Sequence, residues 1–232
     1  MINIPSELKK AIEADELVLF IGAGLSWDLK NTDNESLEGW SKMVKSITSH
    51  LITEGYITDE LKQICDALEP IETLKILEKK GISKREIGGF VKHYFTLRGG
   101  NDFSFHKKLF SLSTKIITTN YDKAFEKAIP ELQEIKAYKG KDYELNRVKK
   151  DSIFLFKLHG CIDGIDSMVL FPSDYDGLYD DKGREAEHAL HTLRILISNK
   201  TFLFIGTGLG EPQINGIFKE INRIQGIYDQ KH

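Results

Sequence analysis

Residues 17–26 read LVLFIGAGLS, Leu17 to Ser26. The run from Leu17 to Ile21 is apolar without alternation, as suits a strand buried on both faces of a parallel sheet. Gly22-Ala23-Gly24 follows at once. Glycines there let the backbone turn tightly and bring its N–H groups close to a phosphate, and a helix starting beyond them would add its dipole. The stretch predicts the first strand and phosphate loop of a nucleotide-binding α/β sheet. The plainer alternative is a buried strand with an ordinary glycine turn. The third glycine of a GxGxxG pattern would fall at Trp27 and is absent, and no second-strand acidic residue follows for a ribose.

The rest of the chain suits such a sheet. Its 232 residues are 41% hydrophobic and 29% charged, enough for one sizeable core. A net charge of −3 gives no electrostatic case for nucleic acid or an anionic membrane. No apolar run reaches transmembrane length, and MINIPSELKKAIEADE lacks the pattern of a signal peptide. Cys65 and Cys161 are the only cysteines, so a four-cysteine zinc site is impossible and a disulfide framework is not expected. The chain reads as reduced and cytoplasmic.

Patterning sets the expected order of elements. A first helix spans Pro5 to Glu16, with Ser6 placed to cap it. Asn31 to Glu38, NTDNESLE, is a polar loop that either closes over a ligand or lies plainly on the surface. Trp40 to Tyr94 carries apolar stripes at helical spacing and predicts a helical subdomain, with boundaries about 36–98 and breaks at Gly55 and Pro70. Cys65 falls on one stripe as a small buried hydrophobe. Phe103 to Phe110 is a short helix containing His106, read as structural. Strands follow at Lys115 to Thr119, weakly at Ile135 to Tyr138, at Ile153 to Leu158, briefly at Met168 to Phe171, and at Thr201 to Ile205. Helices are expected from Asp122 to Ala128, from Arg184 to Ser198, and from Pro212 to Ile224. Strands alternating with helices imply a mainly parallel, Rossmann-like sheet covered on both faces.

Four strand ends carry the unusual residues: Gly22-Ala23-Gly24, Thr119-Asn120-Tyr121-Asp122, His159-Gly160 and Gly206-Thr207-Gly208. Ligands of open parallel sheets bind beyond the carboxyl ends of the strands, so all four point to one crevice. Each alone has a bland reading. Asn120 is well placed to cap a helix, His159 could be a satisfied buried histidine, and the glycines could merely turn the chain.

The order GAGLS, TTNYD, KLHG, IGTGL resembles the sirtuin (SIR2) family, and especially the divergent prokaryotic SIR2-like domains of anti-phage defence proteins. The resemblance runs from Val18 to about Gln213, over nearly the whole chain. It implies one SIR2-like domain over 1–232 that uses NAD+ as substrate. Gly22, Ala23, Gly24 and Ser26 then match the phosphate-contacting loop. Asn120 and Asp122, after Thr119, match the family's pair beside the nicotinamide and its ribose. His159 matches the catalytic histidine. Gly206, Thr207 and Gly208 match the loop holding the adenosine-side ribose and phosphate, with Gly208 where deacylating sirtuins usually carry Ser.

The chemistry of these residue types agrees. Cleaving the nicotinamide–ribose bond builds positive charge on the ribose, as other glycosyl transfers do. An amide can orient water or a ribose hydroxyl without being protonated, and a histidine can take the proton. An aspartate can accept from the carboxamide N–H of nicotinamide. The departures carry weight too. The paired zinc cysteines of deacylating sirtuins are missing, so no zinc is expected. No segment is recognisable as one that pairs with an acyl-lysine peptide, and MVLFPSDYDGLY resembles instead the Asp-Tyr segment of the defence branch. Within it, Tyr175 and Tyr179 either wall the pocket or, the favoured reading, pack their helix. Water is thus the expected acceptor.

The expected activity is an NAD+ glycohydrolase that gives nicotinamide and ADP-ribose and depletes NAD+ as a defence effector. The alternatives are an NAD-dependent protein deacylase and a non-catalytic NAD or ADP-ribose sensor. A dehydrogenase is least favoured. A regulatory domain, a partner protein or a homo-oligomer is expected to restrain the enzyme, with no nucleic acid or membrane bound directly. The chain ends where a further strand of a sirtuin-like sheet would begin, which predicts a longer parent protein.

Overall fold

The structure is a computed structural model describing residues 4–179, 184–207 and 215–219. Gly208, most of the helix expected over 212–224 and the extreme C-terminus lie outside the described residues; 215–219 is helical.

Helix α1 (Ser6–Glu13) leads into strand β1 (Leu17–Ile21). Then come α2 (Gly39–Thr53), α3 (Asp59–Asp66), α4 (Pro70–Lys79), α5 (Lys84–Tyr94) and α6 (Ser104–Leu112) before β2 (Lys115–Thr118). Short α7 (Ala124–Ala128), α8 (Leu132–Ile135) and α9 (Asp142–Val148) precede β3 (Phe154–Lys157). Finally α10 (Pro172–Tyr179) and α11 (Arg184–Asn199) lead to β4 (Thr201–Ile205). The four strands are all parallel, in the order β3-β2-β1-β4. The chain builds outward from β1 to β3, then crosses to the other side of β1 for β4. That reversal opens the crevice at which such sheets bind ligands.

Every residue of β1 is buried. Leu17, Leu19 and Ile21 pack on one side with Ala11, Leu109 and Phe125 of α1, α6 and α7. Val18 and Phe20 pack on the other with Val148, Leu193 and Ile197 of α9 and α11. This two-sided covering is why the run lacks alternation. Helices α2–α5 build a separate core around Met43, Ile47, Leu51, Leu74, Leu77 and Val91, and Cys65 is buried in it. Local chemistry sets their ends. Gly55 (φ +74°) follows α2, Pro70 opens α4, and Ser83 and Glu86 form a capping box on α5.

Several expectations need correcting. Ser6 does not cap α1: Pro5 holds that position and the Ser6 hydroxyl donates to Glu7 Oε1 at 3.0 Å. Ile135–Tyr138 is no strand. Leu132–Ile135 is helical, and only Ala137 bridges to Phe156 at the sheet edge. Residues 168–171 are not a strand either. Met168, Leu170 and Phe171 join the core of the helical block, while Val169 faces the sheet. The NTDNESLE loop is tied down. Buried Asn31 accepts from the N–H groups of Asp33 and Glu35 at 3.0 and 2.9 Å, and Asn31 bridges to Leu97.

Candidate functional site

The loops after β1 and β4 meet glycine to glycine. Gly22 N–H donates to Ile205 O at 3.0 Å, and Gly24 N–H donates to Gly206 O at 2.8 Å. A Cβ on Gly22 would lie 2.7 Å from Gly206 O, and one on Gly206, whose φ is +67°, would lie 2.6 Å from Leu25 N. The glycines are therefore required by the approach of two backbones. This corrects the phosphate-loop expectation in one respect: the N–H groups of Gly22 and Gly24 are engaged across the junction. The turn continues as a single 3₁₀ turn, Ala23–Ser26, in place of an α-helix.

Ser26, buried at the end of that turn, ties β1 to the segment after β2. Its hydroxyl donates to Asp122 Oδ2 at 2.8 Å and accepts from Asn120 Nδ2 at 3.2 Å. Asn120 Nδ2 also donates to Gly22 O at 3.1 Å, and the Asn120 N–H donates to Thr118 Oγ1 at 3.0 Å. Turning the amide over would set its oxygen against the Gly22 carbonyl, so the network fixes the orientation. Asn120 Oδ1 is buried and has no hydrogen-bond partner among the described residues. Asp122, not Asn120, serves the following helix: Asp122 Oδ1 accepts from Ala124 N–H at 2.9 Å.

His159 follows β3 and is buried. Gly160, at φ +89°, turns the chain against Ser167 and Met168, where a Cβ would lie 2.4 Å from Ser167 O. His159 Nε2 lies 2.7 Å from the Tyr179 hydroxyl, and the rings of Tyr175 and Tyr179 meet the imidazole edge-on at 5.5 and 6.0 Å. Burial pushes the His159 pKa down to about 3, so the ring is neutral at physiological pH. Tyr179 thus does more than pack its helix.

Gly22, Ala23, Ser26, Thr119, Asn120, Asp122, His159, Gly206 and Thr207 all line one cavity of about 730 Å³. Gly24 lies outside that lining, beneath Gly206. Tyr121, from the β2 end, and Tyr175 also line the cavity, so Tyr175 takes the wall reading offered for it beside helix packing. The rest of the apolar lining was missed in the sequence: Leu37 just before α2, Trp40 and Met43 at the start of α2, and Tyr94 and Phe95 at the end of α5. The apolar stripes of the helical block read as core, and most of each stripe is core. The available signal was the aromatic residues at the stripe ends, Trp40 and Tyr94-Phe95. A second missed residue is Lys157, a cation within an otherwise apolar strand. Its ammonium donates to Asp122 O and lies 3.3 Å from Glu126 Oε1, with both side chains 1% exposed. It fixes the backbone of the Asn120–Asp122 segment from beneath.

Residues 114–232, half of the chain, match the family model of the SIR2-like domain. The chain belongs to the SIR2-like family. The matched part of this SIR2-like chain carries Asn120, Asp122, His159, Gly206 and Thr207. LVLFIGAGLS lies before it and joins it through the pairing of β1 with β2 and β4. Among its relatives is NAD(+) hydrolase ThsA of Bacillus cereus (strain MSX-D12), 30% identical over 115 residues, which are 49% of this chain and 22% of that protein. The protein of the same name from Enterococcus faecium is 34% identical over 126 residues, 50% of this chain and 24% of that protein. The Cytobacillus dafuensis one is 31% identical over 120 residues, 50% of this chain and 23% of that protein. The match thus spans about a quarter of the length of these curated relatives. Among the described residues, no group of three or more His, Cys, Asp or Glu is arranged to hold a metal ion, and no helix is long and apolar enough to cross a membrane.

Proposed function

We propose that this SIR2-like chain is an NAD+ glycohydrolase and that the crevice above β1, β2, β3 and β4 is its active site. One observation carries the reading. Asn120, Asp122 and His159, from two strand ends, line the same cavity as Ser26, Gly206 and Thr207 from two others. The relatives' name, NAD(+) hydrolase, supports the substrate. The cavity volume falls within the range usual for small-molecule sites.

In this mechanism the pyridinium of NAD+ lies against the aromatic wall of Trp40, Phe95 and Tyr121, where flat faces attract a cationic ring. Asp122 takes the carboxamide N–H. The C1′–N bond breaks with its electron pair leaving on neutral nicotinamide, and positive charge develops on the ribose. Asn120, locked by Gly22 and Ser26, directs Oδ1 to a water or ribose hydroxyl. Water bonds to C1′ and its proton passes to His159. The ring is neutral while charge develops on the ribose, and a water bonding to cationic C1′ is acidic enough to protonate even an imidazole of lowered pKa. Ala23, Ser26, Gly206 and Thr207 hold the phosphate and adenosine side. The wider reading, a single NAD-binding domain with α2–α5 inserted and a role in anti-phage defence under the restraint of a partner, rests on the family resemblance.

Incubation of the chain with NAD+ and chromatographic separation of products tests this. Nicotinamide and ADP-ribose formed without any acylated peptide are expected. Nicotinamide release that depends on an added acyl-lysine peptide would overturn hydrolysis in favour of deacylation.

A further inference from the structure

Behind the Asn120–Ser26–Asp122 array lies a second, smaller chamber. Its volume is about 10 Å³, close to what a single water molecule needs. Asn120, Ser26 and Asp122 line it from the crevice side, and His106, Glu126 and Lys157 from the interior. His106 comes from α6 and is 3% exposed. Its ring is wedged edge-on between Phe103 and Phe125, with centroids at 5.9 and 5.0 Å, so packing fixes its orientation. Neither ring nitrogen of His106 has a hydrogen-bond partner among the described residues, and neither does Glu126 Oε2. Buried polar atoms are almost always paired, and here they surround one space of molecular size.

We infer that this chamber is a binding site for one ordered water, and that through it His106 is a positioning residue for the Asn120–Ser26–Asp122 array. Burial holds the His106 pKa down, so the ring is a neutral imidazole with one donor and one acceptor nitrogen. A single water satisfies one ring nitrogen and reaches a carboxylate of Asp122 or Glu126. Asp122 has two oxygens engaged, by Ser26 and Ala124, and this third contact restrains its remaining freedom. The chamber does not touch substrate. It acts by keeping the crevice-side groups in register, where misplacement by about 1 Å can cost on the order of 10²-fold in rate.

This inference rests on the proposed hydrolysis, so its test has two independent readouts. In steady-state kinetics of nicotinamide release, His106→Phe fills the space without polar atoms. It is expected to lower kcat by on the order of 10-fold to 10²-fold with KM little changed. His106→Gln keeps a donor and an acceptor and is expected to restore most of that loss. A His106→Phe enzyme with wild-type kcat, or a Gln variant as impaired as Phe, would overturn the positioning role. A crystal structure of the wild-type chain at a resolution that shows waters is the second readout. An ordered water within hydrogen-bond reach of His106 and of Asp122 or Glu126 supports the site, and a dry chamber overturns it. The crystal structure decides the site even where His106→Phe does not fold, or where the wild-type chain releases no nicotinamide, which would count against the hydrolysis itself.

Discussion

At the scale of single residues, the site depends on atoms that have no freedom to move. Gly206 is the sharpest case. Its positive φ and its contact with Leu25 N leave no room for a methyl group. Gly206→Ala is expected to lower stability by about 1–3 kcal/mol, read as a shift in the urea midpoint. An unchanged midpoint would mean that the β1–β4 junction relaxes freely. Ser26 is as constrained, since its one hydroxyl serves both Asn120 and Asp122. These residues were legible in the sequence because strand ends in an open sheet collect ligand-binding chemistry. The partners of each atom were not. Two glycine N–H groups engaged by a neighbouring loop cannot be told from two offered to a phosphate until β4 is placed beside β1. Nor does the spacing between Asn120 and Asp122 say which of them bonds the first N–H of α7.

At the scale of elements, β3 does two jobs. Its end delivers His159, and its last residue, Lys157, reaches beneath the β2 loop to Asp122 O and Glu126. Burial works against the charge on Lys157, but Glu126, Cys161 and Asp122 together outweigh it and raise the lysine pKa. Lys136 also faces Glu126, at 3.7 Å, and continues to Asp163. Lys157→Met is expected to cost on the order of 3–5 kcal/mol, because it strips the nearer cation from a buried carboxylate. Adding Glu126→Gln should recover part of that loss. Thermal melts of the single and double variants give the coupling, and simple additivity would contradict the pairing. The elements themselves divide by how strongly their pattern is driven. LVLFI, IFLFKL and TFLFI are apolar runs, interrupted only by Lys157 and opened in the last by Thr201, and strands form in all three. Residues 135–138 and 168–171 have similar composition but lie at the sheet edge and in a loop. Tertiary packing decides such short segments, and propensity does not.

For the whole molecule, two buried histidines couple stability to pH. In the folded chain burial lowers His159 from an ordinary 6.5 to about 3 and lowers His106 in the same direction. Above an ordinary histidine pKa both rings are neutral folded or unfolded, and stability does not depend on them. As pH falls below it, the unfolded chain binds protons that the folded chain refuses, so stability falls. The urea midpoint is therefore expected to drop between about pH 7 and about pH 5, and less so in His159→Gln. An equal drop in that variant would show that His159 is not held neutral. The layered fold and the convergence of four strand ends were legible because both follow from local patterning and one topological rule. The helical block's share of the aromatic wall, the Lys157–Glu126 pair and the chamber around His106 were not. Each joins residues from distant parts of the chain whose local roles look like ordinary core packing.

The most direct test of the account compares nicotinamide release from NAD+ by the wild-type chain and by Asn120→Ala, with ADP-ribose binding measured for both. In this account Asn120 acts at the reacting ribose, while Ala23, Ser26, Gly206 and Thr207 hold the phosphate and adenosine side. The variant should therefore lose on the order of 10²-fold or more in release while still binding ADP-ribose. Equal release by the two proteins would contradict the placement of NAD+ cleavage in this crevice.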